Sequence, residues 1–132
     1  MAAMLAVTVP PELHDGTFSA SIWLADPRNV ALRIGPDLGM AEYFGQGIYL
    51  LHVWFASRGK RAIERAKAMI GEMFDAYGAQ LLRVEIPISG KRTAFVARRV
   101  GFTITGEAER PLGKVLLGEL TRAHWANERL AA

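Results

Sequence analysis

GIYLLHVWFASRGKRAIERAKAMIGEMFDAYG, residues 47–78, is the stretch that decides the fold. Its first part, Ile48 to Phe55, is an almost unbroken apolar run rich in β-branched and aromatic side chains, which suits a buried strand. Ser57-Arg58-Gly59-Lys60-Arg61 follows, small and cationic. Then Ile63, Ala66, Ile70, Met73, Phe74 and Tyr77 recur at spacings of three and four, the period of an amphipathic helix. Gly78 comes after the last periodic residue, where a helix C′ glycine belongs. A second apolar run, Leu81 to Ile86, closes the unit. Strand, basic loop, helix and strand make a βαβ crossover with parallel strands. The loop delivers backbone N–H groups and the positive end of a helix to one point, where an anion such as a phosphate can sit.

Working outward, Asn29 to Ile34 reads as a strand, Gly35-Pro36-Asp37-Leu38-Gly39 as a turn, and Met40 to Phe44 as a second strand. Gly45-Gln46-Gly47 is the next turn, so the three strands form an antiparallel meander ending in the central strand. Further upstream, Leu5 to Val9 reads as a short strand stopped by Pro10-Pro11, and Asp15 as the cap of a short helix from about Thr17 to Ala25. Downstream, Arg92 to Val100 reads as a helix ended by Gly101. Phe102 to Gly106 and Lys114 to Arg122 read as strands joined by a polar loop through Pro111 and Gly113. The tail from His124 is undecided. The expected architecture is an α+β (or mixed α/β) domain with about six or seven strands, two or three helices, and both parallel and antiparallel pairs.

Composition narrows the functional classes. A chain of 132 residues without a linker or repeat fits one domain, residues 1–132, around one core. There are no cysteines, which excludes disulfides, thiolate metal sites and a cysteine nucleophile. No apolar run approaches the roughly 20 residues of a membrane span, and the N-terminus has no basic region of the signal-peptide kind. A soluble cytoplasmic protein is the expectation. The net charge of +3 is mild but unevenly spread, with Arg58, Lys60, Arg61, Arg65 and Lys67 in one group and Lys91, Arg92, Arg98 and Arg99 in another. These are either solvated helix faces or a site for a polyphosphate ligand. The absence of a recognition-helix pattern or stacking aromatics argues against nucleic acid.

Two segments resemble the GNAT family of acyl-CoA-dependent N-acetyltransferases. Val53 through Ile63, VWFASRGKRAI, is similar to that family's strand, pyrophosphate loop and helix start. Gly90 through Phe102, GKRTAFVARRVGF, is similar to its last helix, which ends in Gly-Phe. The resemblance spans roughly Asn29 to Arg122 and is greatest to short GNAT-like proteins encoded in bacteriophages and prophages. Those share a Gly-aliphatic-Tyr opening of the central strand, a His near its end and a Ser/Pro-Arg-Gly loop, matched here by Gly47-Ile48-Tyr49, His52 and Ser57-Arg58-Gly59. The resemblance implies a GNAT-like fold, and acetyl-CoA as co-substrate for transfer to an unidentified amine. It implies that Val53 to Phe55 offer backbone groups to the pantetheine arm. Arg58 and the loop amides of Gly59, Lys60, Arg61, Ala62 and Ile63 would hold the pyrophosphate, and the strands would splay to admit the acyl chain. Four positions depart from the family pattern. Arg61 and Ile63 stand where small residues are usual, Gly90 where the family often has Asn, and Ala97 where a Tyr often serves as general acid.

Amide formation needs a deprotonated amine, a polarised thioester oxygen and a protonated leaving thiolate. His52, on the central strand, is the candidate base, with a structural strand histidine as the other reading. Glu42 and Glu85 are bases or ordinary surface carboxylates; Tyr49 is an acid or a core residue. Ser57 has no matched base, and His14, His52 and His124 lack ligand-like spacing, so no metal is expected. The sequence leaves three functions open: an N-acetyltransferase, a non-catalytic GNAT-fold phage or prophage assembly or interaction protein, and a nucleic-acid binder supported by charge alone. It also leaves a homo-oligomer open.

Overall fold

The structure, a computed structural model, describes residues 25–131. In chain order the elements are β1 (Val30–Ile34), β2 (Asp37–Tyr43), β3 (Ile48–Trp54), α1 (Gly59–Asp75), β4 (Leu81–Pro87), α2 (Lys91–Arg99), β5 (Thr103–Arg110), β6 (Gly113–Thr121) and α3 (Arg122–Ala131). The expected strand Leu5–Val9 and most of the helix from Thr17 fall outside the described residues. The six strands form one mixed sheet in the order β1-β2-β3-β4-β6-β5. The meander is antiparallel, β3 and β4 are parallel, and α1 bridges them, as residues 47–78 led us to expect.

The glycine turn at Gly35 is shorter than expected. Ile34 pairs with Asp37, so Gly35-Pro36 alone reverses the chain and β2 begins at Asp37. Asp37 has the look of a turn residue, but its carboxylate is used at long range instead. At the other end, β5 runs on to Arg110, past the expected stop at Gly106, and only Pro111-Leu112 joins it to β6. β5 lies at the edge of the sheet, where charges such as Glu107, Glu109 and Arg110 are tolerated, and that composition masks a strand. The undecided tail is a helix, α3.

One face of α1 builds the core. Ala62, Ala66, Met69, Ile70, Met73 and Phe74 are buried, whereas Tyr77 lies beyond the helix and is exposed. The approach to the sheet is close: a Cβ on Gly39 of β2 would stand 2.9 Å from Met69 Sδ. The C-terminal end of α1 is closed twice over. Ala79 N–H donates to Met73 O at 2.9 Å, next to Gly78 with its positive φ of 69°. Arg122, from α3, donates through Nη1 to Phe74 O and, at 3.0 Å, to Ala79 O. A cation at a helix C-terminus also complements the helix dipole. Trp125 stacks on Phe74 with ring centroids 4.9 Å apart, fixing α3 against the same end.

The feature that positions the site is a gap in the sheet. β4 pairs with β6 along its whole length, from Leu81↔Thr121 to Pro87↔Val115. With β3 it pairs only at Ile48↔Leu81, Tyr49↔Leu82 and Leu50↔Arg83. Beyond Leu50 and Arg83 the two parallel strands part, and their facing backbone edges are left without strand partners.

Candidate functional site

The gap opens into a cleft of about 710 Å³ lying between β3, β4, α1 and α2. Along α1 it is lined by Gly59, Ala62, Ile63, Ala66 and Ile70, a stripe at helical spacing. Along α2 the lining is Arg92, Thr93, Phe95, Val96, Ala97 and Val100, and Phe102 follows. Of the residues expected to meet a cofactor, Val53, Phe55, Gly59, Ala62 and Ile63 line the cleft, and so does His52. Arg58, Lys60 and Arg61 do not line it; they are exposed beside it at the start of α1. They take part in none of the ion pairs found among the described residues.

The loop from β3 to α1 is held from below by a residue the sequence reading assigned to a turn. The Asp37 side chain is fully buried, and its Oδ1 accepts from Ala56 N–H and Ser57 N–H, both at 2.9 Å. Its Oδ2 accepts from Ser57 Oγ. Ser57 is thus committed to the loop anchor and is not a nucleophile. The anchor sets where α1 begins. Arg58 is the N-cap in extended conformation, no side chain caps the helix, and no acid lies in its first turn. The first-turn N–H groups have no intrahelical partner, and they lie at the mouth of the cleft. Gly59 has φ +59° with open space around any Cβ, so it is the backbone angle that calls for glycine there.

Strand alternation divides the site between two faces of the sheet. Tyr49, Leu51 and Val53 point toward the core and α1, and Tyr49 is a buried core residue rather than an acid at the cleft. Leu50, His52 and Trp54 point the other way. His52 and Trp54 stack with ring centroids 6.0 Å apart and planes 16° apart. Two residues beyond the last pair, Leu50↔Arg83, His52 and Glu85 occupy matching positions on either side of the open gap. Burial holds the His52 imidazole below its ordinary pKa, against a weaker upward pull from Glu85. Glu85 is held below the ordinary carboxylate range by Arg110, which donates from Nε and Nη2 to its two oxygens, each at 2.8 Å. Glu42, cross-strand from Leu50, is pushed up by burial and then by the negative Glu85; it does not line the cleft.

Arg110 and the lower cleft residues Val100 and Phe102 were not singled out from sequence as site residues. Arg110 reaches Glu85 from β5, which lies beyond β6 in the sheet, and no local spacing signals that. Val100 and Phe102 were placed only as the ends of a helix and a strand. Among the described residues no group of three or more metal-ligating side chains gathers. No helix there is long and apolar enough to cross a membrane.

No family model and no curated protein sequence matches the chain. Solved structures do. An uncharacterized protein from Bacillus halodurans superposes with a TM-score of 0.69 at 13% identity, covering 81% of this chain and 66% of that one. Aminoglycoside acetyltransferase AAC(6')-Ib, in complex with paromomycin and acetyl-CoA, superposes with a TM-score of 0.72 at 14% identity, covering 98% and 90%. A variant of spermidine N-acetyltransferase SpeG from Vibrio cholerae gives 0.63 at 10% identity, covering 70% and 60%. The fold is the one these structures share. The mixed sheet, its splayed parallel pair and the helices on it are thus the GNAT-like architecture that the two sequence segments implied. At these identities the likeness is one of fold, and the chain spans only about two thirds or less of the Bacillus and SpeG proteins.

Proposed function

We propose that the protein is an acyl-CoA-dependent N-acyltransferase that transfers acetyl from acetyl-CoA to an amine. The observation that carries this is the parting of β3 and β4 beyond Leu50 and Arg83, with an uncapped helix start at one end of the opening. In this reading the pantetheine arm lies in the cleft on the helix side. It pairs with the free backbone of Val53 to Phe55, as a short extra strand would. The pyrophosphate takes the orphan amides from Gly59 to Ile63, with the Arg58, Lys60 and Arg61 cations beside it. Ile63 is turned into the cleft wall, and Arg61 is exposed. In this reading Ile63 borders the pantetheine side of the cleft and the exposed Arg61 adds a cation beside the pyrophosphate.

The amine approaches from the opposite face, through the gap flanked by His52 and Glu85. Its nitrogen attacks the thioester carbon, the C–N bond forms, the C–S bond breaks, and the amine proton passes to His52. A base must be unprotonated to act, and burial keeps His52 so at neutral pH. Glu85, already bonded to Arg110, fits a placing role better than a proton-accepting one. A cytoplasmic site of action and kinship with phage-encoded GNAT-like proteins are part of the proposal; both rest on sequence. The test is calorimetric titration with acetyl-CoA, followed by an assay of free thiol release against a panel of amines. Saturable binding and amine-dependent thiol release are expected; absence of binding would overturn the reading.

A further inference from the structure

We propose that the donor site takes an acyl chain several carbons longer than acetyl, housed in an apolar recess below the point where β3 and β4 part. This deepens the acyl-CoA reading above and rests on it. The free backbone begins at Leu51 and Val84, just past the last pair Leu50↔Arg83. Leu51 lies three residues below the top of β3 at Trp54, a drop of about 10 Å. α1 runs back down from Gly59, and Ala66, seven residues along it, has descended about 10 Å as well. Ala97 lies about 9 Å along α2 from Lys91 and lines the same cleft as Leu51 and Ala66. A thioester seated where the strands part therefore lies beside two alanines. The cleft continues past them. Ile70, roughly 6 Å below Ala66, lines it, as do Val100 and Phe102.

The chemistry of this lower end is uniform. The polar side chains that line the cleft lie elsewhere: His52 and Glu85 on the far face of the sheet, Arg92 and Thr93 on the first turn of α2. Below Ala66 and Ala97 the walls are aliphatic and aromatic carbon, belonging to the buried core or packed against it. Such a recess stays dry and takes apolar guests. An acetyl group directed through the gap would leave it empty, whereas a longer chain would fill it. The bulk of Ala66 and Ala97 decides the outcome, because a larger side chain at either position closes the passage. The reaction is otherwise unchanged. The amine nitrogen bonds to the acyl carbon, the C–S bond breaks, the amine proton leaves to the base, and the thiolate takes a proton from water.

The test uses the full chain and calorimetric titration with CoA, acetyl-CoA, butyryl-CoA, hexanoyl-CoA and octanoyl-CoA. Fully burying a methylene tightens binding by about fourfold, and even half of that free energy for each of the four added methylenes makes hexanoyl-CoA bind at least about tenfold tighter than acetyl-CoA. In Ala97→Phe that ratio should fall to near one. A series that is flat from acetyl to octanoyl while CoA itself binds would overturn the inference and leave the acyl-CoA reading standing. No binding by any member, CoA included, would overturn both. Should Ala97→Phe fail to fold, the unmodified series still decides, since it needs no substitution. Full retention of the hexanoyl preference in a folded Ala97→Phe would also overturn it.

Discussion

Replacing Asp37 by alanine removes the acceptor for two backbone N–H groups and one hydroxyl at the β3–α1 loop. The two N–H groups, of Ala56 and Ser57, are fixed by the backbone and cannot turn to another partner. The Ser57 hydroxyl can rotate. A hydrogen bond to a charged group contributes about 1.5–3 kcal/mol, so two lost bonds amount to about 3–6 kcal/mol. Removing a fully buried carboxylate also removes its desolvation cost, which offsets part of that loss. A net destabilisation of about 3 kcal/mol is expected for Asp37→Ala, a large share of a total that for domains is about 5–15 kcal/mol. Asp37→Asn keeps one carbonyl oxygen for both N–H groups and presents its amide to a hydroxyl that can accept. It loses only the charge assistance, about 1–2 kcal/mol. Urea denaturation should show lowered midpoints in the order wild type, Asn, Ala, with unchanged slopes. The same variants should bind CoA more weakly in that order, because the loop presents the first-turn amides of α1. An alanine variant within about 0.5 kcal/mol of wild type, or one more stable than the asparagine variant, would refute the anchor.

Arg58→Ala combined with Lys60→Ala should weaken CoA binding roughly tenfold at low salt and less at high salt, read by calorimetry at two ionic strengths; equal affinity in the double variant would move the phosphates elsewhere. Because burial lowers the folded pKa of His52, the unfolded chain takes up the proton first as pH falls below about 6.5. That contribution to stability is present above this pH and is lost toward the lowered folded value, so His52→Gln should flatten the stability profile there; parallel urea-midpoint curves for the two proteins would count against it. Arg110→Ala should raise the pKa of Glu85, followed by carboxyl chemical shifts on NMR titration, since the side-chain hydrogen bond from Arg110 is the main cause of its depression. Arg122→Ala should cost about 1–2 kcal/mol by leaving two carbonyls at the end of α1 without their cationic donor, and unchanged thermal stability would refute that role.

The parallel pair, the bridging helix and the meander were legible because each rests on a periodic signal within one segment. The run from Ile48 to Phe55 and the stripe from Ile63 to Phe74 change period at Gly59, and the chain does change structure there. What was not legible depends on contacts between distant segments. Asp37 sits between glycines at a turn, and nothing local distinguishes a turn aspartate from one that anchors a loop about twenty residues away. The second half of β5 carries Glu107, Glu109 and Arg110, which argue for a loop until pairing with β6 accounts for them. Arg110 meets Glu85 across β6 for the same reason. The parting of β3 and β4 came only from the family resemblance; the pairing pattern carries it independently, three pairs on one side of β4 against seven on the other.

The alanine at position 97 links the donor site to the question of protons. In the proposed reaction the thiolate leaves without a tyrosine to protonate it. General acid help is typically worth about 10²–10⁴ in rate, so its loss slows the step without forbidding it. A thiol with an ordinary pKa near 8.5 is a fair leaving group, and water at the cleft mouth can supply its proton. Positioning is a separate contribution, and the anchored loop and the fixed strands retain it. The small side chain that removes the acid is also the one that opens the lower recess. A buried acyl chain holds the thioester more rigidly than acetyl can, so chain length should affect kcat as well as affinity. If hexanoyl transfer exceeds acetyl transfer in kcat, the added binding energy is being expressed in the transition state. A change in KM alone would mean the recess holds ground state and transition state equally, and positioning would then come from the loop and strands.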